Sequence, residues 1–516
     1  MAPPHRAPYH PALARRLQPL LAPLALAGGV LALHLACGDR LGFFRDELYF
    51  VACGRRLAWG YVDQPPLIAL VARAAWWLSG DGRSVALFRL PAYLAGAASV
   101  VVTALTARRL GGGPFAMALA AAATSGSVLQ LAQGHLLTMN VLELLLWELV
   151  VLALLAALQG SAAAWLAAGG LLGLALLDKY SAGLLAVALL VGLAATRARR
   201  ALASPWAWAG VALAVALALP TAWWQVDHGL PFLEVLRNGR LHKNAEITPL
   251  ALLSGVLLEE GPLGLLLAAA GAVQLLVRRD GPEVRWLGLA MLLVLGAFAA
   301  SGGKPYYLGP AFPPLFAAGA VLAERRLPRW PALRAAAVAV TAALVLPAIP
   351  VALPLLAPAA TVAWMERLGL APVRTERSFT QALPQHQADQ LGWPERVAAV
   401  QAVVEALPPA DRARSVVYTT NYGRAAALQL LGHGLPPVVC GHNQYFLWGV
   451  PGDPQVVVAL GGEPAAYARD FEEVTLVART PAVPDGMAYE SEIPIFVLRG
   501  PRGPVAGLFR SSKNYQ

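Results

Sequence analysis

Charged residues are scarce in this chain of 516 residues. Only 14% are Asp, Glu, Lys or Arg, whereas soluble globular proteins contain about 25% charged residues. Hydrophobic residues make up 57% of the sequence, and its mean hydropathy is +0.56. This composition excludes an ordinary soluble protein and indicates an integral membrane protein in a lipid bilayer. We therefore expect no nucleic-acid partner, although a net charge of +10 would suggest one in a soluble protein.

Lysine and cysteine are also rare. The three cysteines are too few for a disulfide framework and include no CxxC pair for a metal site. The basic residues are almost all arginine, which we attribute to a genome rich in G and C. The lysines are Lys179, Lys243, Lys304 and Lys513.

Long apolar runs, by contrast, recur up to about residue 356. Runs of about 15 to 25 residues can cross a bilayer core of about 30 Å. Short loops with clustered arginine, such as Arg108-Arg109, all fall on one side of the resulting topology, which predicts that residues 1–17 are a cytoplasmic tail. We expect eleven spans, near 18–37, 85–107, 114–134, 138–157, 162–177, 181–196, 205–224, 262–277, 285–300, 308–323 and 333–356.

The C-terminal segment is of a different type, with more charge and the pattern of a soluble fold. It predicts helices near 394–406 and 424–431, and strands near 415–420, 438, 456–460, 474–477 and 495–498. With an odd number of spans this segment lies outside. The sequence therefore predicts an α-helical polytopic membrane protein, with a transmembrane domain of residues 18–356 and a small exoplasmic α/β domain of residues 357–516.

The predicted outer side carries many polar residues. The first outer loop, residues 38–84, is longer than a connection requires, and loops of that length are usually functional. It contains Arg45, Asp46 and Glu47, and further on Asp63 and Gln64. Other outer residues lie near the ends of the spans: His135, Asn140, Asp178, Lys179, Tyr180, Lys243, Lys304, Tyr306 and Tyr307.

Asp46 and Glu47 are the first candidates for catalysis. Adjacent carboxylates in an exposed loop are usually just solvated. Here aromatic residues, among them Phe44 and Tyr49, surround the pair and predict partial burial. Burial and like-charge proximity would raise the proton affinity of one carboxylate, as a general base requires.

Three of the four lysines, Lys179, Lys243 and Lys304, fall in predicted outer loops between the spans, against the positive-inside rule. A compact ammonium group is a good ligand for phosphate. Chance placement is the alternative explanation, so the lysines suggest an outer phosphate site without requiring one.

Five motifs, in this order and spacing, carry a family resemblance. They are Arg-Asp-Glu-Leu-Tyr-Phe at 45–50, Tyr-Val-Asp-Gln-Pro-Pro-Leu at 61–67, Gly-His-Leu-Leu-Thr-Met-Asn at 134–140, Leu-Leu-Asp-Lys-Tyr-Ser at 176–181 and Gly-Gly-Lys-Pro-Tyr-Tyr-Leu-Gly-Pro at 302–310. The chain resembles the family-39-type membrane glycosyltransferases, which include protein O-mannosyltransferases and lipid A aminoarabinose transferases. The segment from Cys440 to Gly449 is similar to the outer domain of bacterial members. The resemblance implies a GT-C fold, a bacterial plasma membrane and a sugar donor attached to a polyprenyl phosphate.

The resemblance also assigns roles to individual residues. It implies that Asp46 is the catalytic base, that Glu47 orients the acceptor or tunes Asp46, and that Lys179 and Lys304 lie near the lipid phosphate. The implied reaction is a direct displacement that inverts the anomeric centre, with an acceptor hydroxyl from the cell envelope. Because the leaving group is a single phosphate, cationic side chains suffice and no cofactor is required; a divalent metal has no support.

Other residues complete the expected site. Candidates for the donor phosphate are Arg45, His135, Tyr306 and Tyr307, and further candidates for the pocket are Asp63, Gln64, Asn140 and Glu143. For His135, capping of a turn is an equal alternative. Glu259-Glu260 is interpreted as a solvated helix start rather than a cation site.

The acceptor is assigned only broadly, as a lipid, glycan or protein of the envelope. Gln64 stands where aminoarabinose transferases have a lysine, and Asn140 where they have an acid, so the resemblance does not identify the sugar. Candidates for acceptor binding are His442, Asn443, Tyr445 and Trp448. The alternative is that this loop packs against the membrane domain.

Two other classes of protein are alternatives. A flippase or transporter of lipid-linked sugars would carry ionisable residues near the middle of the membrane, often in corresponding halves. This sequence concentrates them on the outer face and shows no paired halves, which favours an enzyme. A non-catalytic scaffold would leave the residues around Asp46 unexplained.

Overall fold

The computed structural model describes residues 18–278, 283–372, 374, 376–378 and 380–516. The predicted tail of residues 1–17 lies outside this part of the chain. Residues before 357 are mainly helical. The helices of this part are α1 Leu21–Cys37, α2 Arg45–Arg55, α3 Leu67–Leu78, α4 Val85–Phe88, α5 Leu90–Arg109, α6 Pro114–Ser125, α7 Val128–His135, α8 Met139–Leu158, α9 Ala162–Asp178, α10 Ala182–Ala194, α11 Pro205–Asp227, α12 Pro231–Asn238, α13 Pro249–Val277, α14 Arg285–Ala300, α15 Phe312–Arg326, α16 Pro331–Ala343 and α17 Ile349–Ala352.

The chain is a multi-pass membrane protein. Within the described residues, seven helical segments are long and apolar enough to span a bilayer. Two bent pairs raise the number to nine: α6 with α7, bent by 63°, and α10 with Arg197–Ala203, bent by 108°. Two more predicted spans coincide with the shorter apolar helices α9 and α14. Each of the eleven predicted spans thus corresponds to a helix or a bent pair, while the number of actual crossings stays a prediction.

Helix α13 consists of two helical pieces that meet at a kink. It runs from Pro249 to Val277, but Gly261 has non-helical backbone angles (φ 71°) just before Pro262. A glycine with positive φ followed by a proline interrupts the helix there, so the second piece begins at 262, where the predicted span starts. Glu259 and Glu260 lie at the end of the first piece, and Glu260 is buried. The interpretation of this pair as a solvated helix start was wrong.

The C-terminal part contains the predicted sheet. Its five strands lie in the order β2-β1-β3-β5-β4, with β1 parallel to both neighbours and β5 antiparallel to β3 and β4. The strands are β1 Ser415–Thr419, β2 Val438–Cys440, β3 Val456–Leu460, β4 Phe471–Arg479 and β5 Pro494–Pro501. The helices are α18 Pro358–Arg367, α19 Gln385–Ala388, α20 Trp393–Glu405, α21 Pro409–Arg412, α22 Tyr422–Leu431, α23 Gln444–Trp448, α24 Pro464–Asp470 and α25 Val505–Leu508. The small α/β fold is confirmed.

The first outer loop is largely helical and packs against the C-terminal part. One hydrophobic cluster joins Leu48 of α2 and Ile68 of α3 with Val417 of β1 and Ala425 of α22. Burial of shared apolar surface is the main source of such cohesion. The first turn of α2, which carries Arg45 and Asp46, is thereby fixed between the membrane helices and the sheet.

Candidate active site

A cavity of about 300 Å³ opens beside the first turn of α2. Its apolar lining comes from α7, from α13, from the segment around α17 and from the stretch around Met365 and Leu370. Its polar lining comes from the same helices, from α8, from the first turn of α2, from the segment around Lys304 and from the C-terminal part. The polar residues of the lining include Arg45, Asp46, Gln133, Thr138, Asn140, Glu259, Lys304, Tyr306, Glu376, Gln385 and His386. The cavity can therefore hold a molecule that is apolar at one end and charged at the other.

Asp46 lines this cavity with a partly exposed side chain, 30% accessible. Tyr422, the first residue of α22, donates a hydrogen bond from its hydroxyl to Asp46 Oδ1 at 2.7 Å. The Nε of Arg45 lies 3.4 Å from the same oxygen. Within the described residues both contacts fall on Oδ1, so Oδ2 remains available to accept a proton.

Glu47 occupies a different environment from its neighbour. It is fully buried and accepts two hydrogen bonds of 2.8 Å from the guanidinium of Arg89. It also accepts from the backbone N–H groups of Phe44 at 2.8 Å and Leu137 at 2.9 Å. Adjacent helical residues do not share a face, and Glu47 is not among the residues that line the cavity. Glu47 thus closes the start of α2 and connects it to the next helices, and its expected role of orienting the acceptor or tuning Asp46 stays a prediction.

Arg45 contacts the C-terminal part through both its charge and its hydrogen bonds. Its Nη1 donates to the Tyr489 hydroxyl at 2.7 Å, and its Nη2 lies 3.6 Å from Asp389 Oδ2. Burial alone would lower the pKa of this guanidinium, but Asp389 and the neighbouring Tyr422, Tyr489 and Asp46 together outweigh burial and keep the pKa above its ordinary value. Arg45 therefore keeps a positive charge in the cavity wall.

Lys304 provides a second positive charge, and it is paired with a carboxylate. Its Nζ lies 3.0 Å from Glu376 Oε1, and Lys243 Nζ lies 3.9 Å from the same oxygen. Burial would raise the pKa of Glu376, but the three nearby cations, Lys243, Lys304 and Arg45, outweigh it and hold this pKa below its ordinary range. Two of the three outer lysines thus converge on one ionised carboxylate at the cavity.

Lys179 belongs to a neighbouring cluster. Its Nζ donates to Asn140 Oδ1 and to Glu143 Oε2, both at 2.7 Å, and lies 5.2 Å from the centre of the Tyr307 ring. Glu143 also accepts a hydrogen bond from Ser181. Asn140 lines the cavity, so Lys179 lies one residue behind the lining, whereas Lys304 is part of it.

Tyr306, Tyr307 and His135, the other candidates for the donor phosphate, lie in three different places. Tyr306 lines the cavity, and Tyr307 lies behind it, beside Lys179. His135 is buried at the end of α7, with its Nδ1 3.4 Å from His34 Nδ1 and its ring stacked on Tyr93. It is not among the cavity-lining residues, and its ring stacks on the side chains of His34 and Tyr93. Its assignment to the donor phosphate stays a prediction.

Two solved structures share this fold over nearly their whole length. ArnT from Cupriavidus metallidurans bound to undecaprenyl phosphate gives a TM-score of 0.60 at 14% identity, covering 93% of this chain and 99% of that one. The apo state of the same protein gives 0.59 at 15% identity, covering 98% and 100%. The apo oligosaccharyltransferase of Archaeoglobus fulgidus gives 0.50 at 12% identity, covering 86% and 70%.

The sequence comparison agrees with the fold. Residues 63–224 match the family described as dolichyl-phosphate-mannose-protein mannosyltransferase. The chain is a membrane glycosyltransferase with the GT-C fold. No curated protein matches the sequence of this glycosyltransferase. The matched region includes Asn140, Glu143 and Lys179 but begins after Asp46.

Asp63 and Gln64 of the glycosyltransferase lie outside the cavity lining. Asp63 accepts hydrogen bonds from the Tyr49 hydroxyl at 2.7 Å and from Asn443 Nδ2 at 2.8 Å, and burial raises its pKa to about 6. Gln64 is fully buried beneath the loop. Asp63 thus faces the junction with the C-terminal part, and the placement of both residues in the pocket stays a prediction.

The loop around His442 forms the other side of that junction. Tyr445 is buried and donates to Gln429 Oε1 at 2.7 Å, while Arg56 of the first outer loop lies 4.6 Å from the Trp448 ring. The His442 ring contacts Tyr422, and burial lowers the pKa of His442 to about 3, so it is neutral near pH 7. None of these residues lines the cavity around Asp46. Of the two interpretations, packing is therefore favoured over acceptor binding.

Sequence reasoning did not find the partners that come from the C-terminal part. Tyr422, Tyr489, Asp389 and Glu376 contact Asp46, Arg45 or Lys304, yet none lies in a motif that a single sequence reveals. Their only signal is that they are polar residues in a domain expected outside the membrane. That property does not distinguish them from solvated surface residues of the glycosyltransferase.

Proposed function

We propose that the enzyme transfers a sugar from a polyprenyl-phosphate donor to a hydroxyl group of a cell-envelope acceptor, on the outer side of a bacterial inner membrane. The observation that carries this proposal is the cavity, which joins an apolar lining from the membrane helices to Asp46, Arg45 and Lys304. An apolar lining suits a prenyl chain and cationic side chains suit its phosphate. The structural relative ArnT, bound to undecaprenyl phosphate, supports the same class of donor.

The reaction is a single displacement. The acceptor oxygen attacks the anomeric carbon and forms the new glycosidic bond while the bond from that carbon to the phosphate oxygen breaks. Asp46 takes the proton of the acceptor hydroxyl, and the polyprenyl phosphate leaves with the bonding electrons. Lys304 and Arg45 stabilise the charge that develops on the phosphate, and attack from the opposite side inverts the anomeric centre.

The proposed topology follows from the arginine-rich loops. The N-terminus lies in the cytoplasm, residues 18–356 form the transmembrane domain, and residues 357–516 form a domain on the outer side. Asp46 and Lys304 then face the same compartment as an envelope acceptor. Labelling of single cysteines placed at Lys513 and at Arg109 tests this: membrane-impermeant reagent in intact cells labels only the first, and the reverse result contradicts the topology.

The function is tested by direct transfer. The purified protein receives radiolabelled polyprenyl-phosphate sugars together with cell-envelope extract, and products are separated from donor. We expect transfer by the wild type and a loss of about 10²- to 10⁴-fold in Asp46→Asn, the range for a missing general base. Asp227→Asn is the matched control, because Asp227 is 64% exposed at the end of α11. Full activity of Asp46→Asn removes Asp46 as base, and no transfer with any donor favours a transporter.

A further inference from the structure

Glu376 is a buried carboxylate in the wall of the cavity, and the proposed reaction does not use it. It is 7% exposed and lines the same space as Asp46. Besides the contacts to Lys304 and Lys243, its Oε2 accepts a hydrogen bond from Gln385 Nε2 at 3.2 Å. The carboxylate therefore sits among three donors of the kind that bind a phosphate group.

The chemistry of this centre is that of an anion site that is already filled. Carboxylate and phosphate oxygens accept the same charge-assisted hydrogen bonds from an ammonium group. A phosphate placed next to Glu376 would bring like charges together in a largely buried space, which is unfavourable. The phosphate and the Glu376 carboxylate are therefore alternatives for the same lysines.

The backbone around Glu376 is held independently of its side chain. The N–H of Arg377 donates to the Lys243 carbonyl at 3.0 Å, and the Arg377 guanidinium donates to the carbonyls of Leu241 at 3.0 Å and Asn244 at 3.1 Å. These bonds connect this stretch to the loop after α12. The carboxylate can leave the lysines by rotation of its side chain, without release of the backbone.

We infer that Glu376 is a built-in anion that occupies the place of the donor's phosphate on Lys304 and Lys243, and that donor binding exchanges the carboxylate for the phosphate. The inference rests on the proposed function, since it concerns the same phosphate. It makes Glu376 a positioning residue, which keeps two cations at the cavity before the donor arrives. It also predicts that every donor binding event must displace this carboxylate.

The test is the affinity for polyprenyl phosphate itself, measured with the full-length protein in detergent and without acceptor. Glu376→Gln keeps the shape and the hydrogen-bonding capacity but removes the charge. We expect it to bind polyprenyl phosphate about ten-fold more tightly than the wild type, and its KM for the donor to fall in parallel. Glu366→Gln on α18, whose side chain is exposed, is the matched control and leaves the affinity unchanged.

The outcomes distinguish two claims: that the donor is a polyprenyl phosphate, and that its phosphate displaces the Glu376 carboxylate. Equal or weaker binding by folded Glu376→Gln overturns the exchange and assigns Glu376 to structure or to binding, while the donor class stands. No binding by the wild type overturns the donor class and the exchange together. If Glu376→Gln does not fold, Glu376→Asp keeps the charge but withdraws the carboxylate by one methylene. Tighter binding by this variant supports exchange, and unchanged binding contradicts it.

Discussion

The two parts of the chain that meet at the cavity contribute different things. Residues before 357 supply the groups that we assign to the reaction, Asp46, Arg45 and Lys304, while both parts contribute to the apolar lining. Residues after 357 supply the side chains that hold these groups, namely Tyr422 on Asp46, Tyr489 and Asp389 on Arg45, and Glu376 on Lys304. The comparison teaches that the groups assigned to the reaction come from the part of the chain before 357, whereas the side chains that hold them come from the part after it.

The largest loss of activity is expected from a substitution in the part of the chain before 357. Lys304→Gln removes a cation from the cavity lining, and we expect kcat/KM to fall by about 10²- to 10³-fold, the cost of one missing donor to a developing negative charge. Steady-state transfer with varied donor measures it. Lys513→Gln is the control, because Lys513 pairs with Glu234 on the exposed surface, and it retains activity. Equal activity of Lys304→Gln and Lys513→Gln would contradict the assignment of Lys304 to the reaction.

A smaller loss of activity is expected from a substitution in the part of the chain after 357. Tyr422→Phe keeps the ring that packs 4.5 Å from the Tyr49 ring but loses the hydroxyl that donates to Asp46. We expect kcat to fall about ten-fold with little change in KM, since one hydrogen bond to a charged group is lost. Tyr445→Phe loses a hydroxyl that bonds to Gln429 outside the cavity, and keeps wild-type rates. A loss as large as that of Lys304→Gln would place Tyr422 among the reacting groups instead.

The smallest effect is expected on the pH dependence of stability, through Asp63 at the junction between the two parts. Burial raises the pKa of Asp63 from 3.8 to about 6 in the folded protein, so the folded state binds its proton more tightly than the unfolded state. The stability contributed by Asp63 is complete below its ordinary pKa and is lost as pH rises through about 6. We expect the melting temperature of Asp63→Asn to fall less than that of the wild type between pH 4 and pH 7. Parallel curves of melting temperature against pH for the wild type and Asp63→Asn would show that Asp63 does not titrate in this range. Asp227→Asn is the control: because the Asp227 carboxyl is exposed, its curve should follow that of the wild type.

Much of the fold was predictable because it follows from local sequence. Apolar runs of bilayer length predicted the membrane helices, and the pattern of a soluble fold after residue 357 predicted the five strands. For α13 the sequence predicted the piece that begins at 262 but not the preceding piece from Pro249, which meets it at the kink of Gly261 and Pro262. The sequence indicates where a helix can break, but packing decides whether it does.

The site was predictable only in part. The motifs brought Asp46, Lys304 and Tyr306 to one cavity, as the resemblance implied. They did not separate Asp46 from Glu47, because the direction of a side chain depends on where the helix begins. Nor did they reveal Glu376 and Tyr422, since contacts between distant segments depend on how the sheet domain docks on the first outer loop.

The hydrogen bond between Tyr422 and Asp46 joins residues 376 positions apart in the chain. During synthesis the first turn of α2 therefore emerges long before its support, at a rate of roughly 5 to 20 residues per second. Asp46 therefore lacks this hydrogen bond until the C-terminal part has been made and has folded against the first turn of α2. Under the proposed function, catalytic competence would be tied to the completion of biogenesis, and a nascent or truncated chain would meet donor lipid with an unfinished site.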